Sequence, residues 1–115
     1  MIEVGQVVTV WFPFSHMEAA PYKRRPVLVL GKIGSGADEA ILVTMITSNA
    51  RRVRSPHADD VPIPDHAACG LPLPSIVRAT RIWTAQSRDV ASTLGEVPPE
   101  VLDEVRTRIQ PLFGL

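Results

Sequence analysis

The chain reads as a mainly β protein ending in one helix, and three observations carry that expectation. Eleven prolines among 115 residues argue against a helical bundle, because each costs a helix interior a hydrogen bond and adds a clash. Val7-Val8-Thr9-Val10, Val27-Leu28-Val29-Leu30 and Ala40-Ile41-Leu42-Val43 are short apolar runs rich in β-branched residues, the mark of strands. After Pro98-Pro99 the apolar spacing changes to that of a helix. The length suits a single domain, residues 1–115, with roughly a third of the unfolded chain's surface still exposed after folding.

The first strand spans Val4 to Phe12 and ends at Pro13. Phe14 to Tyr22 mixes Ser15, His16, Glu18 and Pro21 and reads as a loop returning to Arg25. The second and third runs are separated by Gly31, Gly34, Ser35, Gly36 and Asp38, so they form a hairpin with its turn centred near Gly36. Partners sit symmetrically about a turn, which sets Arg25 opposite Thr47, with Cβ atoms roughly 5 Å apart. Pro26 biases Arg25 towards an extended backbone, and a slip of one residue would undo the pairing. Two readings are open: a guanidinium and a hydroxyl that grip one phosphate, or a surface arginine beside an ordinary strand residue.

Asn49 to Arg54, with Arg51, Arg52 and Arg54, is either a short helix stopped by Ser55-Pro56 or an exposed basic turn. Val61-Pro62-Ile63-Pro64 alternates with proline and is restricted to an edge strand or extended segment. His57, Asp59, Asp60, Asp65 and His66 match no compact metal-ligand spacing and read as a solvated loop, so no metal or cofactor is expected. Cys69, without a basic neighbour, reads as a small buried residue. Ser75 to Trp83 is the next long strand, and regular alternation would send Arg78 and Arg81 to opposite faces. In the final helix Val101, Leu102, Val105, Ile109 and Leu112 fall on one face. Acidic residues stand early in it and Arg106 and Arg108 late, as the helix dipole prefers.

Twelve basic and twelve acidic residues cancel, so any phosphate site must be local rather than a property of the whole surface. Lys23-Arg24-Arg25 and the stretch from Arg78 to Arg88 are uncompensated and are candidates for a basic face. One cysteine excludes an internal disulfide framework and suits a reducing compartment. No apolar run nears the roughly 20 residues of a membrane span, and Met1-Ile2-Glu3-Val4 lacks the features of a secretory signal. The expectation is a soluble cytoplasmic protein. The glycines from Gly31 to Gly36 do not form G-x-x-x-x-G-K-[ST], and neither a G-x-S-x-G elbow nor an H-E-x-x-H helix occurs.

Gly5-Gln6-Val7-Val8, Lys23 to Leu30, Ile46-Thr47-Ser48, Gly70-Leu71, Pro74-Ser75-Ile76-Val77-Arg78 and Leu94-Gly95, followed by the helix, together resemble the PemK/MazF family of toxins from bacterial toxin-antitoxin pairs. The resemblance implies a small SH3-like antiparallel β-barrel with a C-terminal helix, forming a homodimer. It implies a sequence-specific, metal-independent endoribonuclease acting on single-stranded RNA, in which the 2′-hydroxyl attacks the adjacent phosphorus. The family's catalytic arginine and threonine fall on Arg25 and Thr47. The candidate substrate-binding set is His16, Lys23, Arg24, Ser48, Arg78 and Arg81, with Ser48 a possible helper of Thr47. The implied protein partner is an antitoxin with a disordered, acidic and apolar tail that covers the Arg25 face.

Arginine is a poor proton acceptor near neutrality, which leaves His16, Glu18 or water as the base. The chain departs from its relatives on the strand after Ser75, where Thr80, Trp83-Thr84 and Gln86 stand in place of their acidic and other polar residues, so a carboxylate base from that strand is not expected. Two rivals share the fold. One is a gyrase poison that holds its partner through an aromatic-glycine-aliphatic end, here Phe113-Gly114-Leu115, although packing of that tail into the core explains the same residues. The other is an inactive relative that only binds RNA.

Overall fold

The computed structural model describes residues 2–12 and 23–115, the side chains of Phe12 and Lys23 excepted. The expectations for Pro13, for the loop Phe14 to Tyr22 with His16 and Glu18, and for the Lys23 side chain therefore lie outside the described residues. Six strands, β1 (Gln6–Phe12), β2 (Lys23–Ile33), β3 (Ala40–Thr47), β4 (Asp60–Pro62), β5 (Ile76–Gln86) and β6 (Val90–Glu96), form one antiparallel sheet in the order β4-β5-β3-β2-β1-β6. Two helices, α1 (Ala50–Arg54) and α2 (Pro99–Ile109), complete the described elements together with short 3-10 turns. The architecture is the mainly β one expected, with the helix at its end.

Alternation along the strands sorts side chains into two apolar clusters. Val7, Leu28, Ile46, Val77 and Ala79 point to one face, where Val97 and the α2 residues Val101 and Val105 close over them. Val8, Val10, Val27, Val29, Ile41 and Val43 point to the other, with Trp83 and Val90 partly buried against them. Asn49 caps α1 through its side-chain oxygen, which accepts from the Arg52 amide at 3.1 Å, so the basic segment is a short helix rather than a turn. β4 is an edge strand, where Pro62 breaks no interior ladder.

The barrel is approximate, since β4 and β6 remain as edges of the sheet. The gap is narrowed by a 3-10 turn, Ala67–Cys69, whose end meets β6 backbone to backbone. A Cβ on Gly95 would lie 2.6 Å from the Cys69 carbonyl oxygen, and one on Gly70 would overlap the Leu94 carbonyl. Only glycine at both positions permits this approach, which explains physically why Gly70-Leu71 and Leu94-Gly95 stand out in the sequence.

The β2–β3 hairpin turns near Gly36, as expected. Near the turn the pairs are Ile33–Ala40, Lys32–Ile41 and Gly31–Leu42, symmetric about a point between Gly36 and Ala37. Beyond Leu30, a bulge on β2, the pairs are Val29–Val43, Leu28–Thr44 and Val27–Met45. The extra residue cancels the slip. Continued by two positions, this outer register would set Arg25 level with Thr47.

Two further expectations are overturned at the C-terminus. Leu112 is 57% exposed and leaves the buried face of α2, because the chain tightens at Gln110–Phe113 into a 3-10 turn, where Pro111 has no amide to continue an α-helical ladder. Phe113 and Leu115 are 67% and 85% exposed, so the tail does not pack into the core.

Candidate nucleic-acid interface

Arg25 pairs with the buried Val10 across β1 and β2, and directly opposed residues share a face. Arg25 is thus an exposed side chain at the open end of the Val8–Val10–Val27 face. Met45 pairs with Val27 on that face and with Arg78 on β5, and the Arg78 guanidinium donates to the Met45 sulfur at 3.9 Å. Thr47, two residues past Met45, belongs to the same side.

There Thr47 and Arg78 line a cavity of about 410 Å³ whose other walls include Asn49, Arg51, Arg52 and His57. The Thr47 hydroxyl accepts from the Asn49 amide at 3.2 Å, which leaves its proton available to a ligand. Arg78 is the least satisfied group: its Nε is buried with no hydrogen-bond partner. Burial, then the like charges of Arg52 and Arg81, pull its pKa below the usual arginine value, with Asp60 pulling the other way. It remains a cation, and an anion in the cavity would relieve it.

One wall of the cavity is held by a carboxylate that the sequence reading placed in a solvated loop. Asp60 is 3% exposed and binds the Arg52 Nε at 2.6 Å and a second guanidinium nitrogen at 3.3 Å. It also accepts from the His57 amide at 2.8 Å. Burial alone would raise the Asp60 pKa, but the Arg52 hydrogen bond, the His57 amide and their charges outweigh it and lower it below the ordinary 3.8. Asp60 is therefore an ionised strut, not a free base. Its partner Arg52 lies eight residues away on α1, with a turn of chain between the helix and β4, so no local pattern signalled the pair.

Arg81 does not line this cavity. The alternation argument that separated it from Arg78 assumed a regular strand, whereas β5 bulges there: Met45 pairs with Arg78 but Thr44 pairs with Ile82. The buried Thr44 hydroxyl stabilises the bulge, donating to the Arg78 carbonyl at 2.7 Å with those of Arg81 and Ala79 at 3.1 and 3.2 Å.

Arg24 and Ser48 are placed elsewhere. They line a second groove of about 420 Å³ with Thr9, Leu73 and Ser92, and the Arg24 guanidinium lies 5.7 Å from the Trp11 ring centroid. Arg24 and Arg25 are thus sent to opposite faces, as are Ser48 and Thr47, so Arg25 shares the side of Thr47 and Arg78 while Arg24 stands on the other. Burial and then Asp65 push the Cys69 thiol up, which leaves it inert as a nucleophile. Among the described residues no three of His, Cys, Asp or Glu are grouped to hold a metal ion, and no helix is long and apolar enough to cross a membrane.

Residues 3–113 match the family model for the PemK-like, MazF-like toxin of type II toxin-antitoxin systems. The chain is 33% identical over 97 residues to endoribonuclease MazF6 of Mycobacterium tuberculosis, covering 83% of this chain and 82% of the relative. Endoribonuclease MazF2 of Mycobacterium bovis matches to the same extent. Among solved structures, the MazE-MazF (Form-III) crystal structure from Deinococcus radiodurans aligns with a TM-score of 0.73 at 26% identity, covering 99% of this chain and 97% of that one. The Mycobacterium tuberculosis toxin MazF-mt6 aligns with a TM-score of 0.69 at 22% identity, covering 96% and 97%.

Proposed function

The chain belongs to the PemK-like, MazF-like family of type II toxins, and on that premise we propose that it is a metal-independent endoribonuclease cutting single-stranded RNA at a preferred sequence. RNA supplies its own nucleophile: the 2′-oxygen bonds to phosphorus, the bond to the 5′-oxygen breaks, and the products are a 2′,3′-cyclic phosphate and a 5′-hydroxyl. The protein needs to align the strand and stabilise the phosphorane's extra charge. Arg25 offers a planar fork of donors suited to that charge, and Thr47 offers a hydroxyl proton to the same oxygens. The observation that supports the reading best is the cavity beside Thr47, where Arg78 presents an unpartnered buried donor. Sequence preference would come from unstacked bases read along the two grooves.

The partners that follow are single-stranded RNA, a cognate antitoxin such as the MazE of the Deinococcus complexes, and a second copy of the chain; the compartment is the cytoplasm. The test is incubation of the purified protein with a long single-stranded RNA in EDTA, mapping the ends. Discrete cuts with 5′-hydroxyl ends, slowed about 100-fold in Arg25→Ala and in Thr47→Ala, are expected. Cuts that survive both changes would move the site elsewhere.

A second reading draws on the exposed Phe113 and Leu115, which stand free to engage a protein such as gyrase. No cutting by folded wild type, with gyrase capture lost on removal of Phe113 to Leu115, would favour it.

A further inference from the structure

Attack by the 2′-hydroxyl needs a proton acceptor, and among the described residues, which do not include His16 and Glu18, the groups around the cavity narrow the choice. Arg51, Arg52 and Arg78 face it from α1 and β5, and guanidinium groups stay protonated at neutral pH. Asp60, on β4, is buried and already committed to Arg52 and the His57 amide. Asp59 stands on the same loop as His57, and Arg108 of α2 donates to the neighbouring Ala58 carbonyl, but neither lines the cavity. His57 does, together with Thr47 and Arg78, and imidazole is the side chain suited to exchanging a proton near neutrality. Its backbone is fixed by the 2.8 Å bond from its amide to Asp60, and the Asp60 amide bonds back to the His57 carbonyl at 3.0 Å. The side chain itself is exposed.

We propose that His57 is the general base of the RNA cleavage reaction, with Asp60 and Arg52 as positioning residues that hold it at the cavity. Neutral imidazole takes the proton of the 2′-hydroxyl as the 2′-oxygen bonds to phosphorus; the departing 5′-oxygen takes its proton from water. The inference rests on the endoribonuclease reading and adds to it the one role that Arg25 and Thr47 cannot fill.

The test compares wild type, His57→Ala, His57→Gln and His66→Ala on one single-stranded RNA across pH 5 to 9 in EDTA. Replacing the His57 side chain leaves its amide bond to Asp60 in place, and thermal melts check that each variant folds. The expected result is a fall in kcat of about 100-fold in both His57 variants with KM nearly unchanged. The acidic limb of the wild-type pH profile should vanish, added imidazole should restore part of the rate of His57→Ala, and His66→Ala should match wild type. If wild type cuts while the His57 variants keep its rate and pH profile, or lose only KM, the base is not His57 and the endoribonuclease reading stands. If folded wild type cuts no RNA, both fall.

Discussion

At the seam where Gly70 meets Gly95, two stretches of backbone touch with no side chain between them; at the cavity, Arg52 and Asp60 hold position through charge. The first region is specified by what is missing and the second by what is paired. A steric fit of this kind is indifferent to pH and salt, whereas an ionised strut follows both. The joint that makes the sheet barrel-like should therefore persist under conditions that loosen the candidate site.

The comparison is broken most severely by Gly70→Ala, which adds a Cβ on top of the Leu94 carbonyl at a φ of +82°. A loss of about 4 kcal/mol or more is expected, read as failure to fold or a collapsed denaturant midpoint, and a loss that varied with pH would contradict the steric account. Next comes Asp60→Asn, which strands the Arg52 charge and should cost about 3 kcal/mol at neutral pH.

Acid titration sharpens the same contrast. Because the folded Asp60 pKa is depressed, its contribution is complete above 3.8 and is lost as pH falls from there through the lowered folded value. Wild type should lose stability in that window, and Asp60→Asn should lose less over it. Thr44→Val removes the hydroxyl that donates into the β5 bulge and should cost about 1 to 2 kcal/mol, measurable by urea unfolding. The smallest effect belongs to Glu104→Ala, whose exposed pair with Arg108 at 2.8 Å is worth about 0.3 kcal/mol.

The parts of the fold that were legible in the sequence are those written locally. β1, the hairpin and α2 follow from runs of apolar residues and from Pro98-Pro99, and the burial of Cys69 follows from its apolar neighbours. β6 was not anticipated as a strand, because Val90-Ala91-Ser92-Thr93-Leu94-Gly95 is half-buried and lacks strict alternation. The candidate site divides the same way. Arg25, Thr47 and Arg78 stand out on their strands, whereas Asp60 acquires its role only when α1 brings Arg52 over it. His57, read as part of a solvated loop, enters the cavity by the same fold-back. Ser48 and Arg24 were grouped with their neighbours by sequence proximity, which strand alternation then divided between two grooves.

The bulge at Leu30 has a consequence for how such chains can vary. It works as a vernier between the turn and the far end of the hairpin: a flush β2 one residue shorter, or the present β2 with one residue set aside, delivers the same side chains to the same face. Length can thus drift at the tip of the hairpin without moving Arg25 relative to Thr47, so long as β2 absorbs the difference. Deleting Leu30 while leaving the turn intact would make β2 flush, with Gly31–Leu42 followed directly by Val29–Val43, and would keep Arg25 level with Thr47.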